Sequence, residues 1–350
     1  MGEIVSSELA LEYAFDVFPR SAGFPKGSEG IWGKNVFRFK RFLRFFEMVR
    51  RGRYRIVHIQ SADPAFLGTT VLMGLARLAG VPILLHMHGT DWEWFYPEAP
   101  LFRKLYTRLG LKLPHRIVVL YSLWRQKLGL LGIPAPVDVL PNFIQRSPAP
   151  TPEMVEQTRR WLNLDESCFV VVTVGTVGWR KGSFEILKAI PRVVKNDPSV
   201  RFVLVGGEEK PGEWKQLMEN VRSNGLDTWV RFTGEVPRER IQGILAVGHV
   251  FLLPSFIEGM PIAIIEAMRS GLPVISTRVN AIPEVIEDGV SGILIDPGNS
   301  QAIAEAVLSL TEHPSLREKL AQGAAQTFEE RYELTRAMQR LRAVYERVLG

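Results

Sequence analysis

Two glutamates near the start of one predicted helix are the residues whose types and spacing best suit ligand chemistry. They lie in residues 254–271, PSFIEGMPIAIIEAMRSG, directly after an apolar strand that ends at Leu253. Glu258 stands in the turn and Glu266 follows in the second turn of the helix, so both carboxylates can face one ligand. One carboxylate could bond a sugar and the other the hydroxyls of a ribose. The alternative on this chemistry alone, a helix cap at Glu258 and a solvated Glu266, is equally open.

The beginning of this helix also predicts a seat for a phosphate or sugar oxygen. Pro261 suits the first helical position because its φ angle is fixed near the helical value. The backbone N–H groups over Gly259, Met260 and Ile262 then have no partner inside the helix and are available to an anion.

A second turn with possible anion chemistry is Gly175–Ser183, GTVGWRKGS, which also joins a strand to a helix. Arg180 and Lys181 lie between glycines, where backbone and charge together could hold a diphosphate. A solvated basic turn is the ordinary alternative. The turn is not a Walker A loop, since its lysine precedes the glycine, and the chain has no GxGxxG pattern, which disfavours a nicotinamide cofactor.

A third polar segment is Leu85–Trp92, LHMHGTDW, at the end of a predicted strand. We expect its two histidines to point to opposite faces, with His88 towards the ligand and His86 buried and hydrogen-bonded. No third ligand stands nearby for a metal, and the acidic segment Asp91–Glu93 is only superficially like a metal-binding triplet. We therefore expect neither a metal nor any other cofactor.

These segments sit in two successive α/β units. Short β-branched runs alternate with amphipathic ones, which is the rhythm of parallel sheets covered by helices. The expected strands are Arg55–Gln60, Ile83–Met87, Ile117–Leu120 and Val137–Leu140, then Phe169–Val174, Arg201–Val205, Val230–Thr233, Val250–Leu253, Pro273–Ser276 and Gly292–Ile295. The Pro-rich segment Gln145–Pro152 predicts a linker between two domains, 1–147 and 148–332. Ligands bind such sheets beyond the carboxyl ends of their strands, so we expect the site to face a cleft between the domains.

Composition indicates the cellular compartment and the candidate partners of the chain. Hydrophobic residues make up 46% of the chain and charged residues 23%, and the single cysteine, Cys168, fits a reducing cytoplasm. No secretion signal is recognisable, and the longest apolar stretches are too short to span a bilayer. The net charge of +6 is concentrated before residue 148. That basic half suggests nucleic acid or an anionic membrane, and the absence of nucleic-acid-binding signatures argues against the former.

In combination, these motifs resemble glycosyltransferase family 4, the retaining enzymes of GT-B architecture. The order is His-x-His-Gly, Leu-Pro-Asn at Leu140–Asn142, Gly…Arg-Lys-Gly, the segment from Pro254 with its two glutamates, and then Ile-Pro-Glu-Val-Ile. The resemblance implies two Rossmann-like domains, an acceptor-binding one first and a donor-binding one second. It also implies that a C-terminal helix, about 333–350, returns to complete the first domain.

The resemblance also implies a role for each matching residue. Lys181 binds the donor diphosphate, with Arg180 standing in for an arginine that the family carries where this chain has Thr176. Glu258 contacts the transferred sugar, Glu266 the ribose, and the backbone of Gly259, Met260, Pro261 and Ile262 the sugar and phosphate. The resemblance also implies that His88 lies near the anomeric carbon and that the main chain of Val236 contacts the base.

The implied activity is transfer of a hexose-type sugar from a UDP- or GDP-sugar to a glycan or a lipid-linked acceptor, with retention and without a metal. One departure bears on it. Val5–Leu11 and Tyr13–Phe18 match the family's first helix and second strand, whereas the first strand and its Gly-rich loop have no counterpart. The alternative is therefore a catalytically degenerate protein that still binds a nucleotide sugar.

Membrane contact is suggested by Trp32–Arg53, WGKNVFRFKRFLRFFEMVRRGR, which predicts a basic amphipathic helix rich in phenylalanine. Val36, Phe39, Leu43 and Phe46 form one stripe, and lysines and arginines occupy much of the remainder. The expected location is the cytoplasm, with a peripheral position on the inner face of the cytoplasmic membrane. The alternative is a phenylalanine stripe packed on the sheet and a solvated basic face.

Overall fold

The computed structural model describes residues 31–52, 54–62, 67–88, 96 and 98–350, and it divides into two compact units. The first unit is Met1–Pro141 together with Ala337–Gly350, and the second is Asn142–Arg336. The segments Val5–Leu11, Tyr13–Phe18 and Asp91–Glu93 lie outside the described residues.

The described part of the first unit is a four-stranded parallel sheet with helices between its strands. Its strands occur in the order β1-β2-β3-β4, and the register pairs Gln60 with His86. The elements in chain order are α1 (Ile31–Arg51), β1 (Val57–Ser61), α2 (Leu67–Leu78), β2 (Ile83–Met87), α3 (Leu101–Gly110), β3 (Arg116–Val119), α4 (Ser122–Leu130) and β4 (Val137–Val139).

Helices α1, α2 and α3 pack in sequence, with α2 touching both of the others. Phe45 and Val49 are buried, whereas Phe39 and Leu43 are exposed. The apolar side of α1 is therefore split: one row packs inside the unit and the other faces solvent. Packing of the apolar stripe on the unit is met only in part, and contact of α1 with a membrane stays a prediction.

The second unit contains a six-stranded parallel sheet in the order β10-β9-β8-β5-β6-β7. Its elements are α5 (Pro152–Leu162), β5 (Phe169–Val174), α6 (Ser183–Asn196), β6 (Val200–Val205), α7 (Glu213–Ser223), β7 (Val230–Phe232), α8 (Arg238–Val247), β8 (Val250–Leu253), α9 (Ile262–Arg269), β9 (Val274–Thr277), α10 (Ile282–Val285), β10 (Gly292–Ile295), α11 (Ser300–Glu312) and α12 (Pro314–Thr327). A π-helical turn, Phe328–Tyr332, leads into α13 (Leu334–Leu349).

Strand β5 is the point at which this sheet changes direction. The chain adds β6 and β7 on one side of β5, then crosses to add β8, β9 and β10 on the other. Parallel sheets bind ligands at such a switch point, beyond the carboxyl ends of the strands. The turns after β5 and β8 are therefore the structural centre of the second unit.

The chain passes between the units at different residues from those expected, after Pro141 and again before Ala337. The supposed linker is held by the second unit: Arg269 Nη1 donates to Gln145 O at 3.1 Å, and Gln242 Nε2 donates to Pro148 O. The helices α4 and α5 were not predicted. Thr151 caps α5 by accepting from Met154 N at 3.2 Å, a signal that the Pro-rich composition obscured.

The C-terminal helix α13 belongs to the first unit from Ala337 onward. Tyr345 is buried, and its hydroxyl lies 2.8 Å from Nδ1 of His58 in β1. Arg347 Nη2 lies 3.2 Å from a carboxylate oxygen of Asp138 in β4. The helix thus contacts both edge strands of the first sheet.

Among the described helices, none combines the length and the apolarity needed to cross a bilayer.

Tyr345→Phe tests this docking. The variant removes only the hydroxyl that meets His58, so we expect a loss of about 1 kcal/mol in the free energy of unfolding of the first unit. Hydrogen exchange of the β1 amides measures it. Arg347→Gln is the control for the exposed ion pair, with an expected loss of at most about 1 kcal/mol. Unchanged β1 protection in Tyr345→Phe would show that this hydrogen bond does not anchor the helix.

Candidate functional site

Hydroxyl groups tie together the strand ends at the switch point of the second sheet. Thr173 Oγ1 donates to Leu252 O at 2.7 Å, linking β5 to β8. Ser276 and Thr277 of β9 each donate at 2.6 Å, to Leu253 O and Ser255 O respectively. All three hydroxyls are buried. The turn that follows β8 therefore starts from a fixed position.

The turn after β5 packs directly against the turn after β8, and glycine makes this approach possible. Gly182 has φ +73°, and a Cβ there would lie 2.2 Å from Pro254 O. Phe256 N donates to Arg180 O at 2.8 Å, and the rings of Trp179 and Phe256 stack at 4.8 Å. Because residue 182 has no side chain, the backbones of the two turns can come into direct contact there.

This contact brings Lys181 and Glu258 together. Lys181 Nζ lies 2.5 Å from Glu258 Oε1, and only 13% and 5% of the two side chains are exposed. Ser255 Oγ donates to the same carboxylate oxygen at 2.7 Å. A buried charge pair needs such additional hydrogen bonds to offset the loss of hydration. The sequence singled out Lys181 and Glu258 separately, and the structure places them in direct contact.

Two asparagines hold the backbone around Glu258. Asn280 adopts φ +43° and donates through Nδ2 to Glu258 O at 2.6 Å. Asn142 donates through Nδ2 to Met260 O at 2.8 Å. Neither residue was assigned a role from the sequence, nor was Ser255. Asn142 and Ser255 stand inside the motifs that carried the resemblance, and that was the available signal.

Arg180 is engaged by protein groups. Its Nε donates to Glu209 Oε1, and its Nη1 donates to Ile257 O at 3.3 Å. Its Nη2 lies 3.4 Å from the hydroxyl of Thr176. Arg180 therefore reaches Thr176, and Glu209 offsets part of its charge. The role of Arg180 in binding a diphosphate stays a prediction.

Helix α9 begins at Ile262, with Pro261 as the preceding cap residue, so the helix starts one position later than predicted. Gly259, Met260 and Pro261 are buried, and Ile262 is exposed. The difference does not alter the chemistry, because a cap residue and its neighbours still present backbone groups at the helix start.

Glu266 lies in α9 beside the segment that follows β7. Arg238 Nη2 is 3.9 Å from Glu266 Oε1, and only 14% of the Glu266 side chain is exposed. Arg238 is two residues after Val236, at the start of α8. Glu266 and Val236, which the resemblance assigns to ribose and base, therefore occupy one neighbourhood.

The first unit carries a row of three histidines. The rings of His58 and His86 are stacked at 5.6 Å, and those of His86 and His88 lie 4.0 Å apart. The expectation that His86 and His88 point to opposite faces was wrong, because residues two apart on a strand share a face. The expected hydrogen bonds of His86 are also missing: both its ring nitrogens are buried without a partner among the described residues.

Burial lowers the pKa of all three imidazoles. The pKa falls to about 3 for His58 and to about 4 for His88, and that of His86 also falls well below its ordinary value. The proximity of His88 adds to the lowering for His58 and His86, because neighbouring imidazolium charges repel. The three rings are therefore neutral at neutral pH.

A metal site finds no support in the described residues. No group of three or more His, Cys, Asp or Glu side chains in that part of the chain has a geometry that could hold an ion.

Family models match most of the chain. The model described as "Glycosyl transferase 4-like domain" matches residues 14–142, and the one described as "Glycosyl transferases group 1" matches residues 168–313. Among curated relatives, alpha-D-kanosaminyltransferase of Streptomyces kanamyceticus is 30% identical, over 78% of this chain and 72% of its own length. The UDP-Gal:alpha-D-GlcNAc-diphosphoundecaprenol alpha-1,3-galactosyltransferase of Escherichia coli is 27% identical, over 78% of this chain and 70% of its own.

Solved structures agree on the fold. HepE of Anabaena in complex with UDP is 19% identical and superposes with a TM-score of 0.78, over 88% of this chain and 82% of its own. A glycosyltransferase from Rickettsia africae is 18% identical, with a TM-score of 0.77 over 99% of this chain and 89% of its own. Each unit accordingly has the parallel-sheet architecture of the GT-B fold.

The histidine row predicts a pH-dependent stability of the first unit. Unfolded histidines bind protons near pH 6.5, whereas the folded ones resist protonation down to about pH 4 or 3. Stability is thus present above about pH 6.5 and is lost as the pH falls below it, by about 2 kcal/mol per histidine near pH 5. Hydrogen exchange of the β2 amides at several pH values measures the slope.

His86→Leu is expected to make this slope shallower, since it removes one of the buried proton-binding groups. His313→Gln, at an exposed histidine of the second unit, is the matched control and should leave the slope of the first unit unchanged. If the stability of the first unit were flat between about pH 7 and pH 5, the three imidazoles would not be neutral and buried together.

Proposed function

The chain belongs to glycosyltransferase family 4, and we infer from this that it transfers a hexose-type sugar from a nucleoside-diphosphate donor to a glycan or lipid-linked acceptor, with retention. Two named relatives transfer sugars, one of them from UDP-galactose to a diphosphoundecaprenol-linked acceptor. A structural neighbour has been crystallised with UDP. These observations favour a UDP- or GDP-sugar as the donor here and cell-surface glycan or glycolipid synthesis as the process.

The buried contact of Lys181, Glu258 and Ser255 is the observation that carries this proposal. It joins a cation suited to a diphosphate and a carboxylate suited to sugar hydroxyls, at the carboxyl ends of β5 and β8. In this proposal Lys181 binds the diphosphate, with Arg180 beside it, and Glu258 orients the sugar. The backbone of Gly259, Met260, Pro261 and Ile262 meets the sugar and phosphate oxygens.

The neighbouring groups supply the rest of a donor site. Glu266 would accept hydrogen bonds from the ribose hydroxyls, and the main chain at Val236 would meet the base. The proximity of Arg238 to Glu266 supports this pairing, because it brings the start of α8 to the side of α9. The second unit is therefore proposed as the donor-binding one and the first as the acceptor-binding one.

The chemistry requires positioning and electrostatic support rather than a covalent intermediate on the protein. The acceptor oxygen attacks the anomeric carbon on the face that the nucleotide leaves, and the departing phosphate takes the acceptor proton. Lys181 balances the charge that develops on the phosphate, and Glu258 holds the sugar while it becomes oxocarbenium-like. The resemblance gives His88 a place near the anomeric carbon, where a neutral imidazole can accept or donate a hydrogen bond.

The proposed location is the cytoplasm, with peripheral contact to the inner face of the cytoplasmic membrane when the acceptor is lipid-linked. The basic first part of the chain supports it: residues 1–147 contain 20 Lys and Arg against 11 Asp and Glu, a net charge of +9. Anionic lipids attract such a surface. Nucleic acid is not proposed as a partner.

Nucleotide binding is expected to need no metal. Isothermal calorimetry with UDP and with GDP, each in the presence and absence of EDTA, measures it. Charge compensation by Lys181 and by the backbone at the start of α9 should give equal affinity in both conditions. An affinity that disappears with EDTA and returns with Mg²⁺ would contradict the metal-free site.

Lys181→Ala and Glu258→Gln should separate binding from transfer. Lys181→Ala removes a charge-assisted bond of about 1.5–3 kcal/mol, so nucleotide affinity should fall at least about tenfold. Glu258→Gln keeps the side-chain size and frees Lys181 for phosphate, so nucleotide affinity should persist. Most sugar transfer should be lost, which is measured as release of UDP or GDP from UDP- or GDP-hexoses in the presence of acceptor.

The matched control is Lys188→Ala, which removes a lysine from helix α6 that pairs with Glu185 instead. It should leave both affinity and transfer unchanged. Circular dichroism excludes unfolding of each variant. A parent protein that binds nucleotide without turnover, tested over a panel of donors and of lipid and glycan acceptors, would support the degenerate binding protein. Parent-like behaviour of both site variants would refute the proposed donor site.

A further inference from the structure

Helix α3 presents its large apolar side chains to solvent. Leu101, Phe102, Leu105 and Leu109 are 82%, 68%, 57% and 53% exposed, whereas Thr107 is buried. At helical spacing the four apolar residues fall within an arc of about 100°. This is the reverse of an ordinary surface helix, which turns its apolar side inward.

The inward side of α3 explains why the arrangement is stable. Gly110 is buried against α2, and a Cβ there would lie 2.4 Å from Thr70 Oγ1. Small residues on the inner side allow close packing of α2 and α3, and the large residues are left outside. Among the described residues, the large apolar side chains on the outer side of α3 are therefore left exposed. We call Leu101, Phe102, Leu105 and Leu109 the α3 stripe.

A second apolar feature lies on the neighbouring helix. A depression of about 500 Å³ is lined by Val71, Gly74, Leu75, Arg77, Leu78 and Leu113. Leu78 is largely exposed, and Arg77 is held at the side by bonds to Leu113 O at 2.7 Å and to the His115 ring at 2.9 Å. The first unit thus offers apolar surface on α2 as well as on α3.

The charged residues of the helix that carries the α3 stripe, and of the residues that directly follow it, are basic, and Glu98 precedes them by one turn. Residues 101–115, LFRKLYTRLGLKLPH, contain four basic residues and no acidic one. At helical spacing, Lys104 and Arg108 flank the stripe on one side. The guanidinium of Arg103 lies 5.9 Å from the ring centre of Phe102. A partner of this surface must therefore be apolar at its centre and anionic at its edge.

We propose that the α3 stripe docks the first unit on an anionic lipid surface, with the four apolar side chains among the acyl chains and the basic residues at the phosphates. A second copy of the chain would bring like charges together along the helix, which disfavours self-association. A lipid surface offers both the apolar and the anionic component, and a helix with this pattern lies in the plane of the interface.

This assignment differs from the one suggested by the sequence, in which α1 carries the membrane contact. In α1, among the side chains that the structure describes, Phe45 and Val49 are buried, and Phe39 and Leu43 remain exposed. In α3, all four large apolar residues of the stripe are exposed. The structure therefore assigns the main contact to α3. The docking surface is independent of sugar transfer, because neither Lys181 nor Glu258 takes part in it.

The experiment is co-sedimentation of the full chain with vesicles, without any nucleotide sugar. The parent is expected to bind vesicles of phosphatidylglycerol mixed with phosphatidylcholine. Its binding to vesicles of pure phosphatidylcholine should be weaker, and so should its binding to the anionic vesicles at high salt. Leu105→Ser combined with Leu109→Ser should lower binding at least about tenfold, because two leucines no longer leave water. Arg108→Glu should also lower binding to the anionic vesicles.

Two controls isolate the surface. Val290→Ser changes an exposed apolar residue of the second unit and should leave vesicle binding unchanged. Leu43→Ser tests α1 and should have a smaller effect than the α3 double variant. Hydrogen exchange of the β1 and β2 amides in the double variant should equal that of the parent, which shows that the first unit folds. Its nucleotide affinity should also equal that of the parent. If the parent bound anionic vesicles but transferred no sugar, the proposed function would be contradicted and the docking surface would not be affected.

Three results would overturn the proposal. The first is no binding of the parent to anionic vesicles. The second is equal binding of the parent and the Leu105→Ser, Leu109→Ser variant, which would place the contact elsewhere. The third is a parent that sediments as a dimer and a double variant that sediments as a monomer, since the α3 stripe would then join two copies of the chain.

Discussion

The contact between Lys181 and Glu258 fixes the geometry of the second unit. A buried pair of opposite charges is tolerated only with good geometry and further hydrogen bonds, because both ions lose their hydration. Ser255 supplies such a bond, and Asn280 holds the backbone carbonyl of Glu258. The two turns that carry the pair follow β5 and β8, so the contact joins them across the switch point of the sheet. Displacing either turn would leave a charge unpaired in a buried place.

Backbone geometry makes that contact possible. Residue 182 must be glycine, both because its φ is positive and because Pro254 O occupies the space of a side chain. A similar approach occurs at Gly206, where a Cβ would lie 1.9 Å from Gly175 O. The backbones at the ends of β5, β6 and β8 therefore approach one another closely. The peptide groups of these turns and the Lys181–Glu258 pair therefore lie close together at the carboxyl edge of the sheet.

The sequence predicted the strands of both sheets to within a few residues, because buried parallel strands have unbroken β-branched runs such as Phe169–Val174. It could not predict that Lys181 and Asn280 are partners of Glu258, since they lie 77 and 22 residues from it in sequence and meet it only through strand order. The boundary after Pro141 was missed for a related reason: hydrogen bonds of Gln145 and Pro148 to the second unit outweigh the local preference of a Pro-rich segment for a linker. The histidine row was not predicted, because side chains two apart on a strand, such as His86 and His88, lie on the same face and were expected on opposite faces.

The two units manage polar groups in opposite ways, and the difference follows from their contents. In the second unit, the buried carboxylate of Glu258 and the hydroxyls of Thr173, Ser276 and Thr277 all have protein partners, which makes the edge of the sheet rigid. In the first unit, the stacked imidazoles of His58, His86 and His88 keep ring nitrogens without partners among the described residues. The Tyr345 hydroxyl bonds the row at its outer end, at Nδ1 of His58. Such nitrogens gain hydrogen bonds when a polar ligand or water reaches them, which would stabilise the occupied state over the empty one. A rigid sheet edge and a less satisfied histidine row suit the proposed transferase, in which one substrate would be held by fixed charges and the other recognised through neutral hydrogen-bonding groups.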